Sequence, residues 1–384
     1  MIRALDRWLP SYLLRERRRP RGRADRPVHV FLAVCDHFEP FHHTDREGAL
    51  RALADWQAEW PRMVEDFRDS SGRGPRHSFF YPVEQYDAEV IERLARLCAQ
   101  TGSEVEVHLH HSDDTAASLT RQLEVGLGQL AGHGLLSRGA DGRPRYGFIH
   151  GNWALDHSHP QGRHCGVADE LAVLRRTGCY ADFTLPSAPD PAQTRTINSV
   201  YYAREDGSPR SHERGRGVET GVTAALAEAE DHLLLVQGPL GLNWRRRKWG
   251  LLPRLENADL TGANPPTLAR FQLWRQLGPI VRGGPPWIFV KLHTHGGIPR
   301  NYRSLLGDPA RDFHRELAAA ATADPGLRFH YVTAREMVNL VHAAEAGLQG
   351  DPAHWFDWRL PPPPAALRPS GQDRGRSVPA AGSE

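Results

Sequence analysis

Histidine and aspartate residues cluster where several apolar segments of the sequence end. Each of these segments has the length and apolar character of a buried strand. The polar residues that close or follow them are Asp36, His37, His108, His110, His111, His150, Asn152, His293 and His295. Imidazole nitrogens and carboxylate oxygens are common ligands of zinc and related divalent cations. The pattern therefore predicts a metal site assembled from strand ends.

Two of the segments carry histidines two residues apart. His108 and His110 share one face of a strand, and so do His293 and His295, because successive side chains of a strand alternate in direction. A single strand-end histidine is usually a surface or hydrogen-bonded residue, but several such ends favour a functional site. We expect one divalent cation, with zinc as the metal, held by a subset of six residues. The six are Asp36, His37, His108, His110, His111 and His150.

The elements that must position these residues alternate along the chain. Apolar runs such as Val28–Cys35 and Glu104–Leu109 are separated by helical patterns such as Ala88–Gln100. Seven or eight such units predict an α/β fold, a single closed or distorted β/α barrel with flexible N- and C-terminal tails, whose strand ends meet at one mouth. A doubly wound open sheet is the alternative. No Gly-x-Gly-x-x-Gly follows the first strand, which argues against a dinucleotide-binding fold.

Composition divides the chain into three regions. Residues 1–26 form a basic leader, residues 27–358 carry the alternating pattern of the barrel, and residues 359–384 are rich in Pro, Gly, Ser and Arg. We expect the last region to be a disordered tail and the leader to be disordered as well. A short amphipathic anchor on an anionic membrane surface is the alternative for residues 1–23.

The overall composition restricts the partners and the compartment. The net charge of +2 gives no indication of a nucleic-acid partner. No stretch approaches the roughly 18 apolar residues of a membrane span, and no signal peptide is evident. The four cysteines have neither zinc-finger nor redox-pair spacing. We expect a cytoplasmic protein, and weak peripheral contact with the inner membrane through residues 1–23 is compatible with this.

Three short motifs resemble those of the polysaccharide (carbohydrate) deacetylase superfamily. Glu104–His108 is similar to the second motif of that family, in which a strand ends in a metal-binding histidine. Cys35-Asp36-His37 stands where the family has Thr-Phe-Asp-Asp, and Leu292-His293 is similar to the last motif. Residues 148–156 and 290–296 resemble a divergent, uncharacterised bacterial subgroup with a glycoside hydrolase/deacetylase β/α barrel.

The resemblance implies metal-dependent hydrolysis of N- or O-acetyl groups on a carbohydrate or glycan precursor. By its position in the first motif, Asp36 would be the catalytic base. By its position in the last motif, His293 would be the general acid. The residues that we expect to contact the substrate are Asn152, Trp153, Asp182 and His295.

The sequence departs from the family pattern at three places. His37 replaces the metal-binding aspartate, although histidine can also bind zinc. The usual His-x-x-x-His would place the second ligand at Ser112, so His110 or His111 must serve instead. The Arg-x-Pro motif is absent, and His150-Gly151-Asn152 occupies a comparable place.

Two other classes of function fit the same residues. One is a different metal-dependent hydrolase on this barrel, either an amidohydrolase or a phosphoesterase, for which Arg245-Arg246-Arg247-Lys248 could bind the phosphate. The other is a non-catalytic carbohydrate-binding barrel. Metal content distinguishes the non-catalytic barrel from the hydrolases, and acetate release distinguishes a deacetylase from the rest.

Overall fold

The apolar runs form one large, mostly parallel sheet, and most of the amphipathic segments cover it as helices. A computed structural model describes residues 4–14 and 19–367. The strands are β1 Val28–His37, β2 Ser78–Pro82, β3 Glu104–Leu109, β4 Ser137–Arg138, β5 Pro144–His150, β6 Cys179–Asp182, β7 Val200–Arg204, β8 Gly215–Gly217, β9 His232–Val236, β10 Gly241–Lys248, β11 Leu252–Glu256, β12 Asp259–Leu260, β13 Trp287–Thr294 and β14 Leu327–Tyr331. The helices are α1 Leu5–Leu14, α2 Arg46–Asp66, α3 Ala88–Thr101, α4 Ala116–Gly132, α5 Glu170–Thr177, α6 Leu268–Leu277, α7 Pro299–Leu306, α8 Asp308–Ala323 and α9 Ala334–Glu345.

The main sheet has the strand order β12-β13-β1-β2-β3-β5-β6-β9-β7-β8. Pairing is parallel from β12 to β9 and antiparallel at β7 and β8. Strand β14 pairs with the first half of β1, and β2 pairs with its end. Among the described residues no strand pairing joins the two edges of the sheet. The mixed α/β fold with a parallel sheet is confirmed, whereas the closed barrel of seven or eight strands is not observed.

The two faces of the sheet have different coverings. Val30 and Leu32 point towards the outer helices, while Phe31 and Ala33 point to the opposite face and pack with α9. All twelve residues of α9 are buried, which is unusual because most helices keep one face in solvent. In a closed barrel, strand side chains fill the interior. Here the sheet formed by the described strands is open, and α9 packs against this inner face.

The described parts of both predicted tails are packed against the fold. Trp8 and Tyr12 lie one turn apart on α1 and are buried in a small cluster that includes Leu240. At the other end, the backbone N–H groups of residues 359 and 360 donate to Asn339 Oδ1. The expectation of flexible tails is therefore wrong for residues 4–14 and 359–367. Residues 19–26 of the predicted leader are also described, and Arg19 Nε donates to the carbonyl oxygen of Gly278 at 3.0 Å. Residues 1–3, 15–18 and 368–384 lie outside the described residues.

Within residues 4–14 and 19–367, no helix combines the length and the apolar character needed to cross a membrane.

A buried histidine pair near the start of β1 predicts sensitivity to acid. His330 Nε2 lies 2.8 Å from His29 Nδ1, and burial lowers the pKa of His330 to about 3. The unfolded chain therefore binds a proton below about pH 6.5 that the folded chain rejects, so stability is lost as the pH falls from 6.5 towards 3. We expect His330→Phe to reduce the pH dependence of the unfolding free energy in this window, by up to about 1.4 kcal/mol per pH unit.

Urea unfolding at a series of pH values between neutrality and about pH 4 measures this slope. The variant is expected to be less stable at neutral pH because Ser71 Oγ, 2.9 Å from His330 Nδ1, loses its partner. His354→Gln is the control, because His354 is exposed. An unchanged slope in His330→Phe would show that His330 does not limit acid stability.

Candidate functional site

The carboxyl ends of β1, β3 and β13 meet at one edge of the sheet, here called the mouth. The pairing of β1 with β13 sets Cys35 beside His293, and β2 links the end of β1 to β3. The ring centroid of His37 lies 5.0 Å from that of His108 and 4.8 Å from that of His295. Residues from three strands therefore converge as the sequence predicts.

His37 is the central residue of the mouth. It is fully buried, and neither ring nitrogen has a hydrogen-bond partner. Burial and the neighbouring rings of His295 and His108 hold its pKa well below the usual value. A buried polar group without a partner costs free energy, and in native proteins such groups usually bind a water or an ion or have a functional role. A cation bound to His37 would supply that partner.

Glu39 brings a carboxylate into the same place. Its Oε1 lies 3.2 Å from His108 Nε2 and 3.3 Å from His110 Nε2, and its Oε2 lies 3.2 Å from His42 Nδ1. Burial alone would raise the pKa of Glu39, but hydrogen bonds with His108 and His110 outweigh burial and lower it. Glu39 is therefore a buried, ionised carboxylate surrounded by imidazoles.

The outer nitrogens of two of these imidazoles face acceptors. His108 Nδ1 lies 3.1 Å from the carbonyl oxygen of Ile149, and His110 Nδ1 lies 2.6 Å from Glu84 Oε1. Because carbonyl and carboxylate oxygens only accept, both Nδ1 atoms carry protons. Each Nε2 faces Glu39, and once it has lost its proton it can offer its lone pair to a cation beside that carboxylate. Metal-binding histidines have this arrangement, in which a second group fixes the tautomer from outside the site.

The resulting group has the dimensions of a cation site. One ligand atom each from His37, Glu39 and His108 lie within 4.8 Å of one another, and all three residues are buried. His110 borders the group at Glu39 Oε1. Without a cation, a proton occupies the same position: the pKa of His110 is raised to about 9, since hydrogen bonds with Glu39 and Glu84 outweigh the effect of burial. Metal ions and protons compete for such nitrogens.

A second buried group lies behind the mouth and could also hold a metal ion. His111, His150, Cys165 and Glu170 each place a ligand atom within 4.8 Å of the others. Glu170 Oε1 is 3.1 Å from His111 Nε2, and Glu170 Oε2 is 3.4 Å from Cys165 Sγ. The group ties the loop between β5 and α5 to the end of β3.

The two groups of candidate ligands differ in which of their atoms carry protons. His150 Nδ1 accepts a hydrogen bond from the backbone N–H of Asn152, at 3.1 Å. The neutral ring therefore carries its proton on Nε2, the atom that faces Glu170 at 3.9 Å. Burial raises the pKa of the Cys165 thiol, so the sulfur keeps its proton as well. A thiol can lose its proton to a bound metal, but the hydrogen bond from Asn152 to Nδ1 fixes the His150 proton on Nε2. The geometry therefore favours an internal hydrogen-bond cluster here and a cation site at His37, Glu39 and His108.

Asp36 differs from its expected position. It precedes His37 on β1, so its side chain points to the opposite face of the sheet. There its Oδ2 lies 2.8 Å from His77 Nε2, and its Oδ1 accepts from the backbone N–H of Gly296 at 2.6 Å. Both oxygens are thus occupied away from the mouth. Instead of serving as a proton acceptor open to the substrate, Asp36 fixes the segment that carries His295.

His293 lies in the mouth with an unpartnered Nδ1. Its ring is 5.9 Å from that of His37 and 5.6 Å from that of Trp153, centroid to centroid. Burial, with Lys291 and His295 nearby, holds its pKa well below the usual value. No carboxylate raises it: Asp182 accepts from Thr184 Oγ1 at 2.7 Å. Glu256, another buried carboxylate, pairs with Arg270 at 2.7 Å.

The four expected substrate contacts separate into two sets. Trp153 and His295 border the mouth, with the Trp153 ring 4.6 Å from that of His37. Asn152 instead donates from Nδ2 to the carbonyl oxygen of His111 at 3.0 Å. Asp182 is buried, and burial raises its pKa to about 7. Asn152 and Asp182 therefore support the loops behind the mouth.

Sequence reasoning missed Glu39, Glu84 and His77. Glu39 follows His37 by two residues, the same spacing that identified His108 with His110, so the alternation rule could have found it. Glu84 lies in the 3-10 turn Val83–Gln85, where no pattern in the sequence marked it. The arginine run 245–248 lies on the β10–β11 hairpin and does not line the His37 group.

The contrast between the two groups gives a direct test. We expect His37→Ala and His108→Ala to lose the bound metal, because each removes a ligand nitrogen of the site at the mouth. His111→Ala should keep a full equivalent of metal, although it should be less stable because Glu170 loses its partner. Elemental analysis of purified, folded proteins measures the stoichiometry. Metal that is lost from His111→Ala but retained by His37→Ala would place the site at the second group.

Comparison with known proteins adds no family assignment to this geometry. No protein-family model matches the chain, and no curated protein matches it significantly. The geometry of the mouth therefore carries the functional argument.

Proposed function

We propose that this protein is a metal-dependent hydrolase that removes N- or O-acetyl groups from a carbohydrate or glycan precursor. One observation carries the metal part of the proposal. His37 is fully buried with two unpartnered nitrogens, beside a carboxylate that is bordered by the Nε2 atoms of His108 and His110. The acetylated substrate is proposed from the resemblance of the strand-end motifs to deacetylases.

The donor set fits zinc. His37, His108 and Glu39 would be the protein ligands, with His110 as a further nitrogen at the rim. Nitrogen and oxygen donors of this kind, with a position left open, are typical of catalytic zinc. A divalent cation held there would polarise an acyl carbonyl and favour ionisation of a water. The Glu84 carboxylate and the Ile149 carbonyl fix the two imidazoles from outside.

Proton transfer is assigned to His293. Because Asp36 is engaged by His77 and Gly296, the base role proposed for Asp36 passes to a group that faces the mouth. Burial keeps His293 neutral, and a nearby cation would lower its pKa further. A neutral imidazole can take the proton of the attacking water. It can then return that proton to the leaving amine or alkoxide, so His293 keeps its expected acid role in the second step.

The walls of the mouth fit a sugar. Trp153 has a left-handed backbone, with φ of 62°, which sets its ring against His37. An indole ring beside a polar cluster is a common platform for the apolar face of a sugar ring. The His295 ring lies 4.8 Å from that of His37 and 6.4 Å from that of Trp153, centroid to centroid, so it lines an adjacent side as a polar contact. Trp153 and His295 are thus the proposed substrate contacts.

Metal analysis combined with an acetate-release screen tests the proposal. We expect about one equivalent of zinc per chain, and release of acetate from acetylated amino sugars or sugar esters that stops when a chelator is added and returns with zinc. His37→Ala is the matched inactive control. Metal-bound protein that cleaves phosphate esters or other amides would assign a different hydrolase, and metal-free protein that binds sugars without turnover would assign the non-catalytic class.

Substitution of His293 separates chemistry from metal binding. We expect His293→Ala to lower kcat by about 10²–10⁴ on an amide substrate while metal content stays unchanged, because proton transfer is lost and no ligand is removed. Asp36→Asn should retain metal and a measurable kcat, since its carboxylate does not face the mouth. Equal turnover by His293→Ala and the unaltered protein would remove His293 from the reaction.

A further inference from the structure

The β10–β11 hairpin exposes an apolar surface that is rich in positive charge. Its exposed apolar side chains are Trp244 at 55%, Trp249 at 76%, Leu251 at 76% and Leu252 at 56% relative exposure. Among the described residues, three other large apolar side chains outside α1 are exposed to a comparable degree, and they are scattered over the fold. Such clustering marks an interaction surface.

All exposed charged residues of the hairpin are basic. Its basic residues are Arg245, Arg246, Arg247, Lys248 and Arg254, and all five are exposed. Its one acid, Glu256, is buried and paired with Arg270. Lys248 Nζ lies 4.1 Å from the centroid of the Trp249 ring, so cation and ring share one site at the tip. Tryptophan, leucine and basic residues together are typical of elements that sit in the headgroup region of a bilayer.

A second element carries the same character beside the base of the hairpin. Leu13 and Leu14, at the end of α1, are 58% and 86% exposed. The neighbouring Tyr12 packs in one cluster with Leu242 and Leu255 of the hairpin. Two clefts beside α6 share Gln272 and Gln276 in their linings. One is also lined by Arg21 and Arg275, and the other by Trp244 and Arg245. These features extend the basic and apolar surface beyond the hairpin itself.

We propose that the β10–β11 hairpin docks the protein onto an anionic lipid surface. Trp244, Trp249, Leu251 and Leu252 would enter the headgroup region, and the five basic residues would contact lipid phosphates. A second copy of the chain fits less well, because a two-fold contact through this surface would bring the positive charges together. A free glycan could stack on the tryptophan rings, but it would leave the exposed leucines without an apolar partner.

The β10–β11 hairpin and the mouth lie at the same edge of the sheet. Strand β9 ends on the mouth side, since it runs parallel to β6, and the hairpin begins five residues later. The chain returns through Ala258, whose carbonyl oxygen accepts from the backbone N–H of His293 at 3.0 Å. The hairpin therefore rises from the edge of the sheet that carries the mouth. This step rests on the proposed function: if the protein is a deacetylase, docking would bring the mouth to an acetylated glycan that is attached to a lipid.

Vesicle binding by the full-length protein tests the docking proposal. We expect co-sedimentation with vesicles of phosphatidylcholine mixed with phosphatidylglycerol, little binding to phosphatidylcholine alone, and weaker binding as salt increases. Arg245→Gln, Arg247→Gln and Lys248→Gln together should weaken binding about a hundredfold, at about fivefold per charge. Trp249→Ser with Leu251→Ser and Leu252→Ser should weaken it by about tenfold or more.

Matched controls make the result specific. Val125→Ser with Val222→Ser removes apolar side chains that are 57% and 47% exposed elsewhere, and it should bind vesicles like the unaltered protein. Melting temperature and metal content check that the hairpin variants are folded. The proposal would be overturned by absent binding to anionic vesicles, by equal losses in the control, or by tryptophan fluorescence that responds to soluble glycan but not to lipid. His108→Ala should bind vesicles normally. The vesicle experiment therefore tests the docking proposal even if the proposed hydrolase reaction is not found.

Discussion

The buried carboxylate of Glu39 is the interaction on which the arrangement of the mouth depends. A carboxylate removed from water needs compensating positive charge or several donors, and Glu39 has the nitrogens of His108, His110 and His42 within hydrogen-bond range. The Nδ1 atoms of His110 and His108 are in turn held from outside by Glu84 and by the carbonyl oxygen of Ile149. The mouth is therefore a shell of fixed imidazoles around one negative charge, and His37 adds a nitrogen pair with no other partner.

Much of the fold could be predicted from periodicity, because strand and helix patterns report local burial. Glu104–Leu109 was predicted with the observed bounds, and the helix predicted at Ala88–Gln100 is one residue longer in the structure. The failure to close into a barrel could not be predicted in this way. Which strands pair, and how α9 packs against their inner face, depends on contacts between residues that are distant in sequence. The packing of Trp8 was missed because its partners, such as Leu240, lie far along the chain.

The site was predictable to the extent that alternation determines direction. Because side chains alternate along a strand, His108 and His110 lie on one face. The same rule places Asp36 on the face opposite His37 and places Glu39 on the same face as His37, so these directions could have been predicted from the sequence. The division of histidines between two groups could not. It depends on the loop after β5, where Trp153 and Asp156 have left-handed backbones that fold His150 and Cys165 behind the mouth. Local backbone geometry of this kind leaves no periodic signal.

The position of β1 in the sheet has a consequence for biosynthesis. This strand leaves the ribosome first among the strands, yet it pairs with β13 and β14, which are synthesised last. The α9 helix that covers the inner face follows β14. The end of β1 can pair early with β2, but its pairing with β13 and β14 must wait until both strands have been made, and contacts of such long sequence separation form slowly. Until then the apolar residues at the start of β1 lack their strand partners, which makes the nascent chain a candidate for chaperone binding.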